Sequence, residues 1–330
     1  QPHRQRRDEG WADASSNDEG SAPHPERTVA AAAPTEGAPL LVVPPARIVA
    51  SVLLGGEAIF VALLLLVALV LSVLGLGAAI GGLAPAAVIG AGRALMRLTR
   101  WWGLTIGLRG PRTLTSQRGL TDTRTSSVPL HRVQAVAIEQ PWLWRRPGWW
   151  SLKVNVAGAE IGSASESTDT VLVPVATTTE VLRLLEVVTG DPQTTAEAGS
   201  LVAGTPEGFV GLPGRSRWVH PFARRRIGYL AGQRALLTRS GWLDHTLQIV
   251  PWGRIQSLTV SQGPLARRLD LATVHAVSTV GPVDPGVCHL DRAHAEALRG
   301  LVEAHASPAR RDEDGGPACN GGPDTVDYEG

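Results

Sequence analysis

TLTSQRGLTDTRTSSVPLHRVQAVAIEQPWLWRR (113–146) and ALLTRSGWLDHTLQIVPWGRIQSLTVSQGPLARR (235–268) decide how this chain folds. Displaced by 122 positions, the two align without a gap. Identical pairs include Leu114/Leu236, Gly119/Gly241, Asp122/Asp244, Val128/Val250, Pro129/Pro251, Arg132/Arg254, Gln134/Gln256, Gln140/Gln262, Leu143/Leu265, Arg145/Arg267 and Arg146/Arg268. Self-similarity at a fixed displacement means one supersecondary unit built twice. Within the first copy, apolar residues recur with period two, which predicts short strands over 114–118, 123–130, 133–139, 151–156 and 170–173. In SLKVNVA, Leu152, Val154 and Val156 share one face, and Lys153 and Asn155 the other, as a half-exposed strand requires.

Each copy ends in a helical pattern. After Pro174, Val181, Leu184, Leu185 and Val188 recur at helical spacing, with a start capped among Thr177–Thr179 and a stop at Gly190. In the second copy, Ala293, Ala297, Leu298, Leu301 and Val302 share one face of a helix over 291–304. Gly119 and Gly241 each precede an Asp by the same distance, so Asp122 and Asp244 read as hairpin-turn residues.

Upstream of the repeat lies an apolar run, with AIFVALLLLVALVLSVLGLGAAIGGLAPAAVIGAGRALM (58–96) at its centre. A transmembrane helix needs about 20 mostly apolar residues, and this run holds enough for two. Val49 to Val73 forms a first span, glycines 75, 77, 81 and 82 a turn, and Ala84 to Leu98 a shorter second span with Pro85 in its first turn. Arg47 opens the run, and Arg93, Arg97 and Arg100 close it, which predicts a hairpin with both ends in the cytoplasm. The alternative is one long helix with a re-entrant tail. The Gly77xxxGly81 and Ala86xxxGly90 spacings suit close packing of the hairpin on itself. Glu57, the carboxylate near the spans, lies close enough to the start of the first to reach the interface.

The chain has 330 residues and a formal net charge of +1, an average that hides acidic tails and basic modules. Lys153 is the only lysine, so its cations are arginines. Cys288 and Cys319 lie far apart without a CxxC, which encodes neither a zinc ribbon nor a disulfide scaffold. Residues 1–46 and 307–330 lack apolar periodicity and are expected to be disordered tails. The first segment has no basic-then-apolar signal peptide.

The repeated phrase VPxxR(V/I)Q, with the (E/S)Q(P/G) step and the Arg-Arg pair that follow it, resembles the bacterial PH-like domains of the YdbT/YdbS type (DUF304, or bPH2). The resemblance covers about residues 45–305 and implies PH-like folds, bent antiparallel sheets each capped by a C-terminal helix. Longer members carry three such domains with hairpins between them. By that comparison the chain, which opens on Gln1, is a fragment lacking the first domain and hairpin. The expected fold class is therefore membrane-anchored α+β: a transmembrane helical hairpin (47–100) followed by two PH-like β-domains (101–190 and 217–306), separated by a Gly/Pro/Thr linker (191–216).

Catalytic sets are scarce. Gly75–Gly81 nearly matches GxGxxG, but Ile80 holds the third glycine position and no strand precedes it. Cys288, His289, Asp291 and His294 form the densest cluster of ligand-type residues, short of a convincing four-ligand zinc site. No metal, cofactor or catalytic residue is expected, and the chain reads as a non-enzyme. Pro129, Arg132 and Gln134, with their counterparts Pro251, Arg254 and Gln256, are repeat-signature residues suited to hydrogen bonding or to ligand contact.

The stronger signals concern surfaces. PWLWRRPGWW gathers Trp142, Trp144, Trp149 and Trp150 around Arg145 and Arg146. Tryptophan favours the membrane–water interface, and arginine attracts anionic headgroups. Trp101 and Trp102, just after Arg93, Arg97 and Arg100, suit an interfacial belt in the same way. In the second module GRSRWVHPFARRRIGYL (214–230) offers Arg217, Trp218, Arg224, Arg225 and Arg226, and no acid occurs between Glu207 and Asp244. This segment occupies the place that the hairpin has in the first module. The expected function is a scaffold or sensor at the cytoplasmic face of the cell membrane, binding anionic lipid headgroups or another membrane protein. The alternative is a peptide- or protein-interaction module of an envelope-assembly or transport complex. Nucleic acid is not an expected partner, because the basic clusters sit beside a bilayer.

Overall fold

The structure, a computed structural model, describes residues 39–75, 80–158, 171–278 and 281–314. Expectations for residues 1–38 and 315–330, and for Gly77, lie outside them. In chain order the first module comprises β1 (Leu41–Val42), α1 (Pro45–Leu53), α2 (Gly56–Val73), α3 (Ile80–Trp101), β2 (Thr105–Leu108), β3 (Thr113–Arg118), β4 (Arg124–Pro129), β5 (Val133–Gln140), β6 (Trp149–Val156), β7 (Val171–Thr177) and α4 (Thr178–Thr189). A helix α5 (Pro192–Ala203) leads to the second module: β8 (Val210–Gly211), β9 (Gly228–Ala231), β10 (Ala235–Ser240), β11 (His245–Pro251), β12 (Ser257–Ser261), α6 (Pro264–Arg268), β13 (Leu271–Val277), β14 (Gly286–Asp291) and α7 (Arg292–Asp314).

Each module supplies a four-stranded antiparallel meander, then a three-stranded one, then a helix. The chain turns from one to the other at the repeat signature. Pro129 and Pro251 end β4 and β11, and each precedes a single 3-10 turn, at 130–132 and 252–254. The three sheets are not divided by module, however. β1–β4 and β12–β14 form separate sheets, whereas β5–β7 of the first module and β8–β11 of the second join into seven strands ordered β7-β6-β5-β11-β10-β9-β8. The seam is antiparallel, pairing Gln140 with His245 and Val136 with Ile249.

That seam buries both faces of β5. Val136 and Ile138 join Leu237, Leu247 and Ile249 in one core, while Ala135 and Ala137 join Leu236 and Val250 in the other. The modules thus share their cores across one sheet. Asn155 in β6, expected on a half-exposed face, is fully buried, because the second module covers it. Its amide donates to the Val283 carbonyl at 2.7 Å and accepts from the Val283 N–H at 2.9 Å, completing a strand-like pairing with a loop of the other module.

Four boundaries differ from the sequence expectation. The helices do not precede the first module but interrupt it. Leu41–Val42 pairs with Thr105–Ile106 of β2, and Leu41 and Val43 are core residues, so the module begins within the segment expected to be tail. The expected single span 49–73 is two helices, broken at Leu54–Gly55. α1 is amphipathic and packs Ile48 and Val52 into the protein, with Arg47 paired to Glu180 of α4 at 2.6 Å. The first half of the expected linker is α5, capped by the Asp191 side chain and buried through Ala198 and Leu201, and the second half holds β8. At the other end α7 runs past the expected limit to Asp314.

Among the described residues α2 is the one helix long and apolar enough, by length and composition, to cross a membrane: 18 residues at a mean hydropathy of 2.6, none of them buried. At about 1.5 Å per residue it measures roughly 27 Å, close to the ~30 Å of bilayer hydrocarbon. α3 packs against it, and a Cβ on Gly90 would meet Val61 Cγ2 at 2.5 Å, which explains the small residue there. Pro85 lies inside α3 rather than in its first turn, because the helix starts earlier, at Ile80. α4 behaves as expected: Thr177 and Glu180 form a reciprocal capping box, and Gly190 closes the helix at φ +64°.

Substituting Asn155→Ala strips two buried backbone groups of their partner, at about 1–3 kcal/mol for a buried group left unpaired. The expected loss of stability is about 2 kcal/mol in chemical denaturation of the full chain in detergent. An unchanged midpoint would show that the loop at Val283 does not depend on it.

Candidate membrane-facing surface at the module junction

The register of the seam sets the geometry of the site. Because Gln140 faces His245, the residues just after β5 must lie beside those just before β11. Trp142–Arg145 forms a 3-10 turn there and meets the tight turn 241–244 between β10 and β11. The Trp142 N–H donates to Asp244 Oδ1 at 3.2 Å, and Arg145 Nη2 donates to the Leu243 carbonyl. Gly241 holds φ +101°, where a Cβ would overlap the Asp244 carbonyl oxygen; Gly119 does the same at φ +121° before Asp122. The paired Asp residues thus belong to glycine-dependent turns.

The arginine-rich insertion between β8 and β9 closes on the same turn. Arg226 Nη1 donates to the Trp242 carbonyl at 3.2 Å, and Phe222 stacks on the Trp242 ring with centroids 5.4 Å apart. In the first module the corresponding turn meets the corresponding insertion: Gly119 N–H donates to the Trp102 carbonyl and Leu120 N–H to the Thr99 carbonyl, at the end of α3. The basic stretch of the second module therefore does occupy the topological position of the helical hairpin in the first.

The expected interface residues separate into two groups. Trp218 is 74 % exposed with Arg217 over its ring at 5.4 Å, Trp142 is 49 % exposed, and Arg146, Arg225 and Arg226 are exposed, with Arg224 half-buried. Arg93 and Arg100 are exposed on the last turns of α3 and Arg97 is half-buried. Two of the expected tryptophans lie in the core instead. Trp144 is 1 % exposed and Trp101 5 %, so neither is available to a bilayer. Trp101 is covered by the Arg118 guanidinium at 4.4 Å, and Trp144 packs edge-on against the half-buried Trp149. Trp102 is also half-buried. Phe222 (72 % exposed), Trp242 (55 %) and Leu243 complete the patch and were not singled out from sequence. The repeat alignment held the signal, since Trp242 matches Leu120, itself 56 % exposed.

A chain of contacts joins this patch to the base of the hairpin. Arg47 of α1 pairs with Glu180 of α4, and Thr178 at the start of that helix donates to the Gly148 carbonyl at 3.3 Å and accepts from Trp150 Nε1 at 3.1 Å. Gly148 follows directly on the Trp142–Arg146 loop. His220 of the insertion is held by His289 of β14, with Nε2 and Nδ1 2.9 Å apart; burial first, then the neighbouring ring, keeps the His220 pKa below its ordinary value. Among the described residues no group of three metal-ligand side chains occurs: His289 turns to His220, and Asp291 pairs with Arg215 at 2.6 Å.

The signature residues are mainly architectural. Gln140 donates to the Trp149 carbonyl and Gln262, its counterpart, to the Leu271 carbonyl, the same bond in both modules. Arg254 donates to the His131 carbonyl at 3.2 Å, across the modules. Arg132 is exposed; Gln134 is buried, and Gln256 is exposed, so that pair has diverged. The two corners also border a cleft of about 790 Å³ lined by Gln134, Asp191, Arg234, Pro251 and Arg254, among others.

Trp144→Ala is expected to cost about 3–5 kcal/mol, as for large buried aromatics, and Trp142→Ala no more than about 0.5 kcal/mol; urea denaturation of the two variants checks the division. His245, beside Arg145, has its pKa lowered to about 4 by burial first, then by Arg145, Arg226 and Arg239 against the opposing Asp244. The unfolded chain then binds the proton first, so stability falls as pH drops from about 6.5 towards 4. His245→Asn should flatten that part of a thermal-midpoint profile.

The bacterial PH domain family matches residues 39–189 and 194–306, most of the chain. No match was found among curated proteins. The match restarts just inside α5, and its first segment starts ahead of β1, as the interrupted first module requires. With two sheet-and-helix units related by a repeat, the chain belongs to the bacterial PH domain family and carries that domain twice.

Proposed function

We propose that this protein is a non-enzymatic, membrane-anchored scaffold or sensor of the YdbT/YdbS type. Its α2–α3 hairpin crosses the membrane twice, both PH-like modules lie in the cytoplasm, and the junction surface rests on anionic lipid. One observation carries this. Trp142, Trp218, Phe222 and Trp242 are exposed on loops of both modules, interleaved with Arg146, Arg217 and Arg225, and are linked by contacts to the base of an apolar hairpin. An apolar ring with a guanidinium beside it suits the headgroup boundary, where each basic residue contributes about 1 kcal/mol on an anionic leaflet. Arg93, Arg97 and Arg100, at the protein end of α3, flank the second crossing on the same side.

A second reading has its own support. β12 is an exposed edge strand of its sheet, open to a peptide added as a further strand. That would make the protein an interaction module of an envelope-assembly or transport complex.

Hydrogen exchange on the full chain in lipid nanodiscs separates the two. Lipid contact predicts protection of 214–226 and 241–244 in anionic nanodiscs, lost in neutral ones and in an Arg217→Ser/Trp218→Ser/Phe222→Ser variant. Equal exchange in both lipids would remove the lipid role. Protection of 257–261 on adding a membrane extract would favour the second reading.

A further inference from the structure

A pocket of about 250 Å³ lies behind the surface patch, walled by Trp150 of the first module, the C-terminal end of α5, and Arg225, Arg226, Arg239 and His245 of the second. We propose that it is an anion site that takes a phosphate monoester or inorganic phosphate. This deepens the lipid reading above but rests on it only if the phosphate belongs to a lipid.

Cations converge here without carboxylates. Arg239 is fixed by its Nε–H to the Arg226 carbonyl at 2.9 Å and by Nη1 to the Leu201 and Gly204 carbonyls, where it caps α5. Arg226 is held by the Trp242 carbonyl, and Arg145, adjacent to His245, by the Leu243 carbonyl. Backbone carbonyls orient these guanidiniums without neutralising them, and Asp244 offsets part of the charge around Arg145 and His245. Among the described residues none of Arg145, Arg226 and Arg239 has an ion pair. The nearby carboxylate, Asp244, accepts from the Trp142 N–H.

One ring nitrogen in the pocket wall, His245 Nε2, is buried and makes no hydrogen bond to protein, and next to the wall Arg145 Nε is buried and unpartnered as well. A buried polar group left unsatisfied costs about 1–3 kcal/mol, and with Arg225, Arg226 and Arg239 in the same wall the partner that suits His245 is an anion, met by the ring as an Nε2–H donor. Burial first, then the charges of Arg145, Arg226 and Arg239, lower the His245 pKa to about 4, so the ring is neutral at pH 7.

Chemistry selects among anions. A carboxylate brings one negative charge in a plane. A phosphate monoester brings roughly −1.5 to −2 near pH 7 with three acceptor oxygens, which offsets more of the three guanidiniums and matches their forked donors. A phosphodiester carries a single charge and fits less well. At about 30 Å³ per liquid water, the pocket has room for a tetrahedral oxyanion with part of its hydration. The site needs both modules, as Trp150 comes from the first and Arg225, Arg226, Arg239 and His245 from the second.

The test is histidine NMR on the full chain in neutral detergent micelles, with the His245 resonance assigned by His245→Asn. Inorganic phosphate should raise the His245 pKa by one unit or more, a tenfold gain in proton affinity. It should also raise the thermal midpoint, more at pH 5.5 than at pH 7.5. Arg226→Gln, in the pocket wall, should weaken phosphate binding about tenfold. Should that variant fail to fold, the loss in His245→Asn of the pH dependence of the phosphate-induced rise in midpoint carries the same information. Nanodiscs distinguish the source: a response to phosphatidic acid but not to phosphatidylglycerol or free phosphate assigns a lipid monoester, and a response to free phosphate alone assigns a soluble one. Chloride or sulfate acting as strongly as phosphate, or an unmoved His245 in every arm, overturns the site. Surface protection of 214–226 in anionic nanodiscs with a silent His245 would sink the pocket and leave the lipid surface standing; the converse result would do the reverse.

Discussion

The antiparallel pairing of β5 with β11 is the interaction on which the rest of this structure depends. It turns one meander from each module into a single sheet, with one core on each face. Ala135 and Ala137 contribute to one core and Val136 and Ile138 to the other, so the strand is buried on both sides, as a central strand must be. It also removes two open strand edges that would otherwise invite pairing with other chains. Stability and domain geometry are therefore inseparable here, and Asn155 extends the bond between modules to the loop at Val283.

Function follows from the register of the same pair. Opposing Gln140 to His245 leaves the Trp142–Arg146 loop no place except beside the 241–244 turn. A shift of one residue would turn the side chains of β5 over and part the two loops. The patch of Trp142, Trp218, Phe222 and Trp242, and the cationic pocket behind it, are thus products of strand pairing rather than of any one loop. The two insertions complete the symmetry. Both leave the fold after the first strand of their module, and both return to touch its glycine turn. One is a helical hairpin with an apolar surface, the other a short arginine-rich stretch.

Much of the fold was legible from sequence because it is local. The displacement of 122 positions exposed the repeat, period-two patterning placed β3 to β7, and a cap among Thr177–Thr179 with a stop at Gly190 bounded α4. Gly119 and Gly241 announced their turns, since a side chain there would collide with backbone. α5 was missed because PQTTAEAGSLVA is small and polar; its burial through Ala198 and Leu201 comes from the surfaces it packs on. β1 was missed because two residues carry no periodicity at all. The candidate surface was legible by composition and misjudged in detail. A tryptophan suits a bilayer boundary and a protein core equally well, and spacing within PWLWRRPGWW cannot tell Trp142 from Trp144.

Sequence alone determined the family, the doubling of the domain, the apolar helices and the basic character of the second insertion, since these rest on residue type and order along the chain. Tertiary structure decided that the hairpin interrupts the first module, that the modules share one sheet, and which aromatic rings face outward. It also brought Arg145 close enough to Arg226 and His245 to act on them. Those outcomes depend on contacts between residues about a hundred positions apart, and each is set by which strand edge is open and which surfaces can be covered.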